Sequence, residues 1–189
     1  MSEKIRVAGL GGSLAPVSTS LAALRIALEG AQEAGAETSL FDLKEMDLPM
    51  YIPRGGVIDA TRSLVEAVYE AEAMLWSSPV YEGSFSGAFK NALDHIHEMG
   101  SYDPPMLRGK VVGHIATGSG TNAVQGIIAM EACARSLHAM SVPPFVVVPK
   151  TGQAFDEEGK AIDPDMDQQL RSLGRSVVEA VTRLRGQGS

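Results

Sequence analysis

Cysteine is almost absent from this chain. Cys133 stands alone among 189 residues, so no intrachain disulfide can form, and a reducing, cytoplasmic setting is expected. Cationic residues are also in the minority: 16 Lys and Arg face 23 Asp and Glu, for a formal net charge of −7. That balance excludes a broad basic face for nucleic acid. An anion would have to be held locally, by backbone donors and helix ends. No apolar run is long enough to span a bilayer, and Met1-Ser2-Glu3-Lys4 does not lead into a signal-peptide core. Neither a membrane nor a nucleic-acid partner is therefore expected. There is no internal repeat, and no low-complexity segment before the Gly-Gln-Gly-Ser tail at 186–189, which is expected to be disordered.

The hydrophobic share of 44% is enough for a normal core, and the length suits one domain over 1–189. Short apolar runs alternate with helical patterns. Strands are expected at Ile5–Leu10, Thr38–Phe41, Ala73–Ser77, Val111–Thr117 and Phe145–Val148. Helices are marked by Leu21, Leu24, Ile26 and Leu28, by Leu64, Val65 and Val68, and by Phe85, Phe89, Leu93 and Ile96. Two more follow, one with Ile127, Met130, Ala134 and Leu137, the other running from Met166 to Leu184. Five β-α pairs in sequence argue for a parallel sheet covered on both faces. Right-handed crossovers then favour a three-layer α/β/α sandwich of the flavodoxin-like kind, with five parallel strands in the order 2-1-3-4-5. Ligands of such sheets sit beyond the carboxyl ends of the strands, at the switch point between strands 1 and 3.

Three loops rich in small residues would meet there. The first, Gly11-Gly12-Ser13-Leu14-Ala15-Pro16-Val17-Ser18-Thr19-Ser20, hands a strand over to a helix. Its hydroxyls and helix-end amides form either a phosphate cradle or a helix cap and nothing more; the residues alone support both. A Walker A loop is excluded, because no Lys is present. A dinucleotide fingerprint beginning at Gly9 and Gly11 has Leu14 in place of its third glycine, and Asp42 is its only candidate ribose acid. The second loop is Ser77-Ser78-Pro79-Val80-Tyr81-Glu82-Gly83-Ser84-Phe85-Ser86-Gly87, followed by Ala88-Phe89-Lys90-Asn91-Ala92-Leu93-Asp94. The third is Ala116-Thr117-Gly118-Ser119-Gly120-Thr121-Asn122.

With these loops the chain resembles the NAD(P)H-dependent FMN reductase family of flavodoxin-like flavoproteins. That family reads approximately Ser-Pro-x-Tyr-Asn-x-Ser-x-Pro-Gly-x-x-Lys-Asn-x-x-Asp after its third strand. The resemblance runs from Ile5 to the last helix, and the strand 3 motif carries most of it. It implies FMN as cofactor and NAD(P)H as co-substrate. Gly12, Ser13, Ser18, Thr19 and Ser20 would lie at the phosphate. Pro79, Val80, Tyr81, Glu82 and Gly83 would border the isoalloxazine ring, and Thr117, Gly118, Ser119 and Gly120 its pyrimidine side. Hydride would pass from the nicotinamide to flavin N5, and on to free FMN, a quinone, an azo compound or a similar small-molecule acceptor. A flavin-dependent monooxygenase is a further implied partner, and a homodimer or homotetramer is implied. The flavin carries the chemistry, so no catalytic side chain is nominated. A flavodoxin-type electron carrier without NAD(P)H oxidation is the alternative.

Two positions depart from the family pattern. Ala15 stands where Arg is common, which leaves the phosphate to hydroxyls and amides and suits a dissociable flavin. Glu82 stands where Asn is usual. Its carboxylate either sits beside the ring, where it would disfavour anionic reduced flavin, or points to solvent while its backbone alone is used. Other residues are read as structural. Lys90, Asn91 and Asp94 would tie down a loop. His95 and His97 lie two apart on a helix and cannot pair on a metal. His114, Trp76 and Cys133 read as packed groups, although Trp76 could also line the flavin pocket. The long loop at 42–58, with Tyr51 and Arg54, is a candidate functional loop that would cover the flavin or join subunits. No metal site is expected.

Overall fold

The structure, a computed structural model, describes residues 3–118, 122–149 and 151–186. The chain opens with β1 (Arg6–Gly11), α1 (Thr19–Glu33), β2 (Glu37–Asp42), the short α2 (Leu43–Met46), α3 (Asp59–Glu70) and β3 (Ala73–Tyr81). It continues with β4 (Ser84–Phe85), α4 (Gly87–Ile96), β5 (Val111–Thr117), α5 (Ala123–Ser136), β6 (Met140–Ser141), β7 (Val146–Val148) and α6 (Pro164–Gly186). The sheet order is β2-β1-β3-β5-β6, with β7 also on β5. All of these pairings are parallel; β4 alone turns back, antiparallel on the end of β3. This is the flavodoxin-like arrangement expected.

The fifth strand is in two pieces. Met140–Ser141 pairs with Val111–Val112 and Val146–Val148 pairs with Ile115–Thr117. Between them lie Pro143 and Pro144, which have no N–H to give to a ladder. Phe85 also differs from the helical pattern: it sits in β4, because Ser86 is the cap that starts α4, its Oγ accepting from Phe89 N at 3.2 Å. Gly186, which the sequence places in the tail, is the last residue of α6, and residues 187–189 lie outside the described residues.

Period-two alternation sorts each central strand between two cores. On β3, Met74 and Trp76 face α3, α4 and α5, where they pack with Leu64, Val68, Phe89, Ile96 and Ile127. Ala73 and Leu75 face α1 and α6, with Leu24, Leu28, Leu170, Leu173 and Val177. Both faces are covered, so β3 reads as a continuous apolar run. Each such buried side chain contributes about 1.5–3 kcal/mol relative to exposure. Gly174 lets α6 lie directly on α1, since a Cβ there would stand 1.9 Å from the Ala27 carbonyl oxygen. Arg171 ties the same seam at the surface, donating to Asp167 (2.8 Å), Glu33 (2.7 Å) and Glu29 (2.6 Å).

Lys110 is a buried cation that the sequence does not flag. Its ammonium donates to the carbonyls of Tyr69 (2.8 Å) and Ala71, closing the end of α3. Burial pushes its pKa down. His114, on β5, is buried with Nε2 at 2.8 Å from Ser141 Oγ, and its ring meets Trp76 edge-on. Among the described residues neither His114 Nδ1 nor Trp76 Nε1 finds a hydrogen-bond partner. Desolvation holds the His114 pKa down at about 4. Trp76 lies in the core.

Candidate active site

The loops after β1, β3 and β5 meet at the carboxyl ends of their strands. At Gly11 a Cβ would stand 2.3 Å from the Ser77 carbonyl oxygen, so only glycine lets β1 and β3 end this close together. Gly12 N then donates to Ser77 O (3.2 Å), and Ser77 Oγ donates to Ser20 O (2.7 Å), fixing the first turn of α1 against β3. Ser18 caps α1, its Oγ accepting from Leu21 N at 3.2 Å and lying 3.1 Å from Ser20 Oγ. Ser13 Oγ accepts from Ala15 N at 3.4 Å. The first turn of α1 carries no acidic residue, so the positive end of the helix is uncompensated there.

The second loop is a hairpin. Tyr81 pairs with Ser84, leaving Glu82 and Gly83 as a two-residue turn with φ of 48° and 80°. Two positive φ values mark a type I′ turn, whose first position favours Asn, Asp or Gly. Glu82 is exposed at the tip of this turn and also lines a cavity beside the crevice between the loops, so its carboxylate is within reach of both solvent and that cavity. Ser78 Oγ accepts from Ser86 N at 3.0 Å and braces the base of the hairpin. The third loop is tied by Gly118 N donating to Val148 O at 3.2 Å.

A crevice of about 320 Å³ lies between the loops, lined by Ser13, Ala15, Val17, Thr19, Ser20, Pro79, Val80, Tyr81, Thr117, Gly118 and Thr151. A neighbouring cavity of about 400 Å³ shares Val80 and Gly118 and adds Glu82, Gly83, Asn122, Ala123 and Gln125. Most expected site residues are thus brought together. Gly12 and Ser18 are not on the crevice wall; they shape the turn and cap the helix. Ser119 and Gly120 lie outside the described residues. Sequence reasoning missed Thr151, whose carbonyl accepts from Thr19 Oγ1 at 3.4 Å, and Gln125, which comes from the first turn of α5. Thr151 has no local signal, because it arrives from far along the chain. Gly126 gives α5 its approach, since a Cβ there would meet Val80 Cγ2 at 2.4 Å.

No charged side chain lines the first crevice among its described residues, and Glu82 is the one charge on the second. Hydroxyls and amides at the start of α1 suit a monophosphate. The backbone of Pro79–Tyr81 and Gly118 suits the edge of a flat ring, and both volumes fall in the ordinary range for cofactor sites. The residues fit FMN.

Asp42, the candidate ribose acid, is committed elsewhere. It caps α2, its Oδ1 accepting from Lys44 N at 3.0 Å. The loop after α2 does not line either cavity. It lies on α4 instead, held by Asn91, whose Oδ1 accepts from Tyr51 N (2.8 Å) and whose Nδ2 donates to Pro49 O (2.9 Å). A separate hollow of about 610 Å³ opens there, lined by Tyr51, Arg54, Lys90, Asp94, His97, Glu98 and Cys133 among others. Lys90 pairs with Asp94, and Tyr51 donates to Glu98 at 2.7 Å, which raises the phenol's pKa. Burial likewise pushes the half-buried Cys133 thiol up, away from the reactive thiolate. His95 points inward to Pro49 O (3.0 Å) while His97 is exposed. Among the described residues no group of three or more His, Cys, Asp or Glu could hold a metal, and no helix is long and apolar enough to cross a membrane.

The family described as NADPH-dependent FMN reductase matches this chain over residues 5–153. The chain belongs to that family. As a member, it is an FMN-dependent NAD(P)H oxidoreductase. A probable NADPH:quinone oxidoreductase of Oryza sativa subsp. japonica is 28% identical, covering 96% of this chain and 91% of that protein. An NAD(P)H-dependent FMN reductase of Pseudomonas aeruginosa is 27% identical over 98% of this chain and all of its own. An FMN-dependent NADPH-azoreductase of Staphylococcus aureus is 29% identical over 72% of each chain. Among solved structures, a flavoenzyme NAD(P)H:(acceptor) oxidoreductase from Paracoccus denitrificans superposes with a TM-score of 0.77 at 20% identity, over 95% of this chain and 98% of its own. A flavodoxin from the domain Archaea gives 0.66 at 10% identity, over 94% of this chain and 99% of its own. These likenesses establish the flavodoxin-like fold.

Proposed function

We propose that this protein is a single-domain cytoplasmic flavin reductase that takes FMN as an exchangeable partner rather than a permanent one. One observation carries the reading: the crevice at the start of α1 offers hydroxyls and amides but, among its described lining residues, no cation. Arg and Lys make the strong charge-assisted bonds to phosphate. Here the phosphate rests on Ser13, Thr19, Ser20 and the first-turn N–H groups of α1, with Ser18 and Gly12 setting that turn. Pro79 to Gly83 border the ring, and Thr117 and Gly118, with Ser119 and Gly120, take its pyrimidine side. Donors from that third loop would hold the charge that reduction places near N1 and O2. When bound, FMN supplies the hydride chemistry itself, so the side chains bind, orient and exclude water. The acceptor is a small molecule: a quinone or azo compound, as in the names of the rice and Staphylococcus relatives, or free flavin passed to a monooxygenase. Assembly as a homodimer or homotetramer is part of the proposal.

The test is an FMN titration followed by NADH and NADPH oxidation across quinone, azo and flavin acceptors. The expected result is micromolar rather than nanomolar FMN affinity, with turnover of at least one nicotinamide coenzyme. A protein that binds FMN but oxidises neither coenzyme is an electron carrier, and one that takes up no FMN overturns the site.

A further inference from the structure

The crevice and its neighbouring cavity run into one another through Val80 and Gly118, which line both. The hydroxyls of Ser13, Thr19 and Ser20 stand on the crevice alone, and the side-chain amides of Asn122 and Gln125 on the cavity alone. A flavin with its phosphate on the hydroxyls therefore points its ring toward the amides. Two glycines place Gln125 there. At Gly126 a Cβ would meet Val80 Cγ2 at 2.4 Å, so α5 presses its first turn onto the neck between the two spaces. At Gly83 a Cβ would stand 2.7 Å from Gln125 Oε1, so the side chain reaches across from α5 to the hairpin turn. The Gln125 side chain makes no hydrogen bond with another described residue.

We infer that Gln125 is a cofactor-binding residue that reads the polar edge of the flavin ring. The inference rests on the flavin reading of the crevice. A flavin ring ends in a uracil-like edge, with two carbonyls flanking a single N–H at N3. The amide of glutamine sets a donor beside an acceptor, the complement of N3–H and an adjoining carbonyl. Glu82, on the same cavity, is a carboxylate and offers acceptors only, so it can meet the N–H but not the carbonyl beside it. Asn122 carries the same amide group, and the contact with Gly83 singles out Gln125 over it. With N1 and O2 given to the third loop, N3–H and the C4 carbonyl remain for Gln125. Such a pair adds selectivity rather than charge, because a ligand edge that leaves either partner unmatched is penalised.

The experiment titrates the wild-type protein and the Gln125→Leu variant with FMN, riboflavin and 3-methylriboflavin, following flavin fluorescence. Gln125 is exposed, so the variant keeps the core intact. It is expected to bind FMN and riboflavin alike about tenfold more weakly, because the lost contact lies on the ring and not on the phosphate. The methylated flavin lacks N3–H and is expected to bind wild type about tenfold more weakly than riboflavin. The variant should hold riboflavin and its methyl derivative within about twofold of each other, since two losses at one contact do not add. Unchanged affinity of the variant for FMN and riboflavin overturns the inference, as does a methyl penalty that persists in full in the variant. Wild-type protein that takes up no flavin instead overturns the flavin reading itself, which separates the two failures.

Discussion

Two concavities of this molecule make opposite impressions. The hollow over α4 is the larger, about 610 Å³ against about 320 Å³, and is full of ionisable groups. Yet its groups largely serve one another: Lys90 faces Asp94, Tyr51 faces Glu98, and Asn91 and His95 hold Pro49. The crevice at the strand ends has no charge among its described lining residues, but it gathers backbone and hydroxyls from three distant loops at the sheet's switch point. Size and charge therefore do not mark the site here; the topology of the sheet does.

The strongest way to break this comparison is to close the crevice from behind. Gly11→Ala forces a Cβ against the Ser77 carbonyl and is expected to cost about 3 kcal/mol, with FMN uptake lost. An unchanged melting temperature together with normal flavin binding would show that β1 and β3 do not need this approach. Next is acid. His114 has a folded pKa near 4 against 6.5 when unfolded, so between those values the unfolded chain binds the extra proton. Stability is full above about pH 6.5 and falls toward pH 4, by up to about 3 kcal/mol. His114→Leu should flatten that limb in pH-dependent denaturant melts, whereas removing the Lys90–Asp94 pair should not.

Smaller effects sharpen the contrast. Asn91→Ala strips two hydrogen bonds from the loop after α2 and should cost about 2 kcal/mol while FMN affinity stays within about twofold. A large loss of affinity would mean that the loop belongs to the flavin site. Ala15→Arg should tighten FMN about tenfold, about 1.4 kcal/mol, and leave riboflavin unchanged; calorimetric titration of both ligands separates them. Last, Glu82→Asn relieves a positive-φ position and should raise stability by about 0.5–1 kcal/mol without altering coenzyme choice.

Much of this was legible in the residues. Apolar runs marked every long strand, and the strand 3 motif located the second loop, though not that Ser78–Tyr81 continue β3 and fold back as a hairpin through Glu82 and Gly83. What escaped is of another kind. Lys110 looks like any surface lysine until α3 delivers two carbonyls to it. Thr151 reaches the crevice only through packing of a distant segment. Met140–Ser141 is too short to show a period. The sequence marks the loop at 42–58 as a candidate cover for the flavin or a subunit contact. Its length was visible, but not the Asn91 contacts that lay it on α4.

The interrupted fifth strand has one more effect. It forms the rim of the sheet, where an open row of amides would invite a stray strand from another molecule to add itself. Pro143 and Pro144 have no N–H to offer to a ladder, and pairing resumes only at Val146. The break that hides the strand from a sequence pattern also leaves that rim without one continuous row of amides for another strand to pair with.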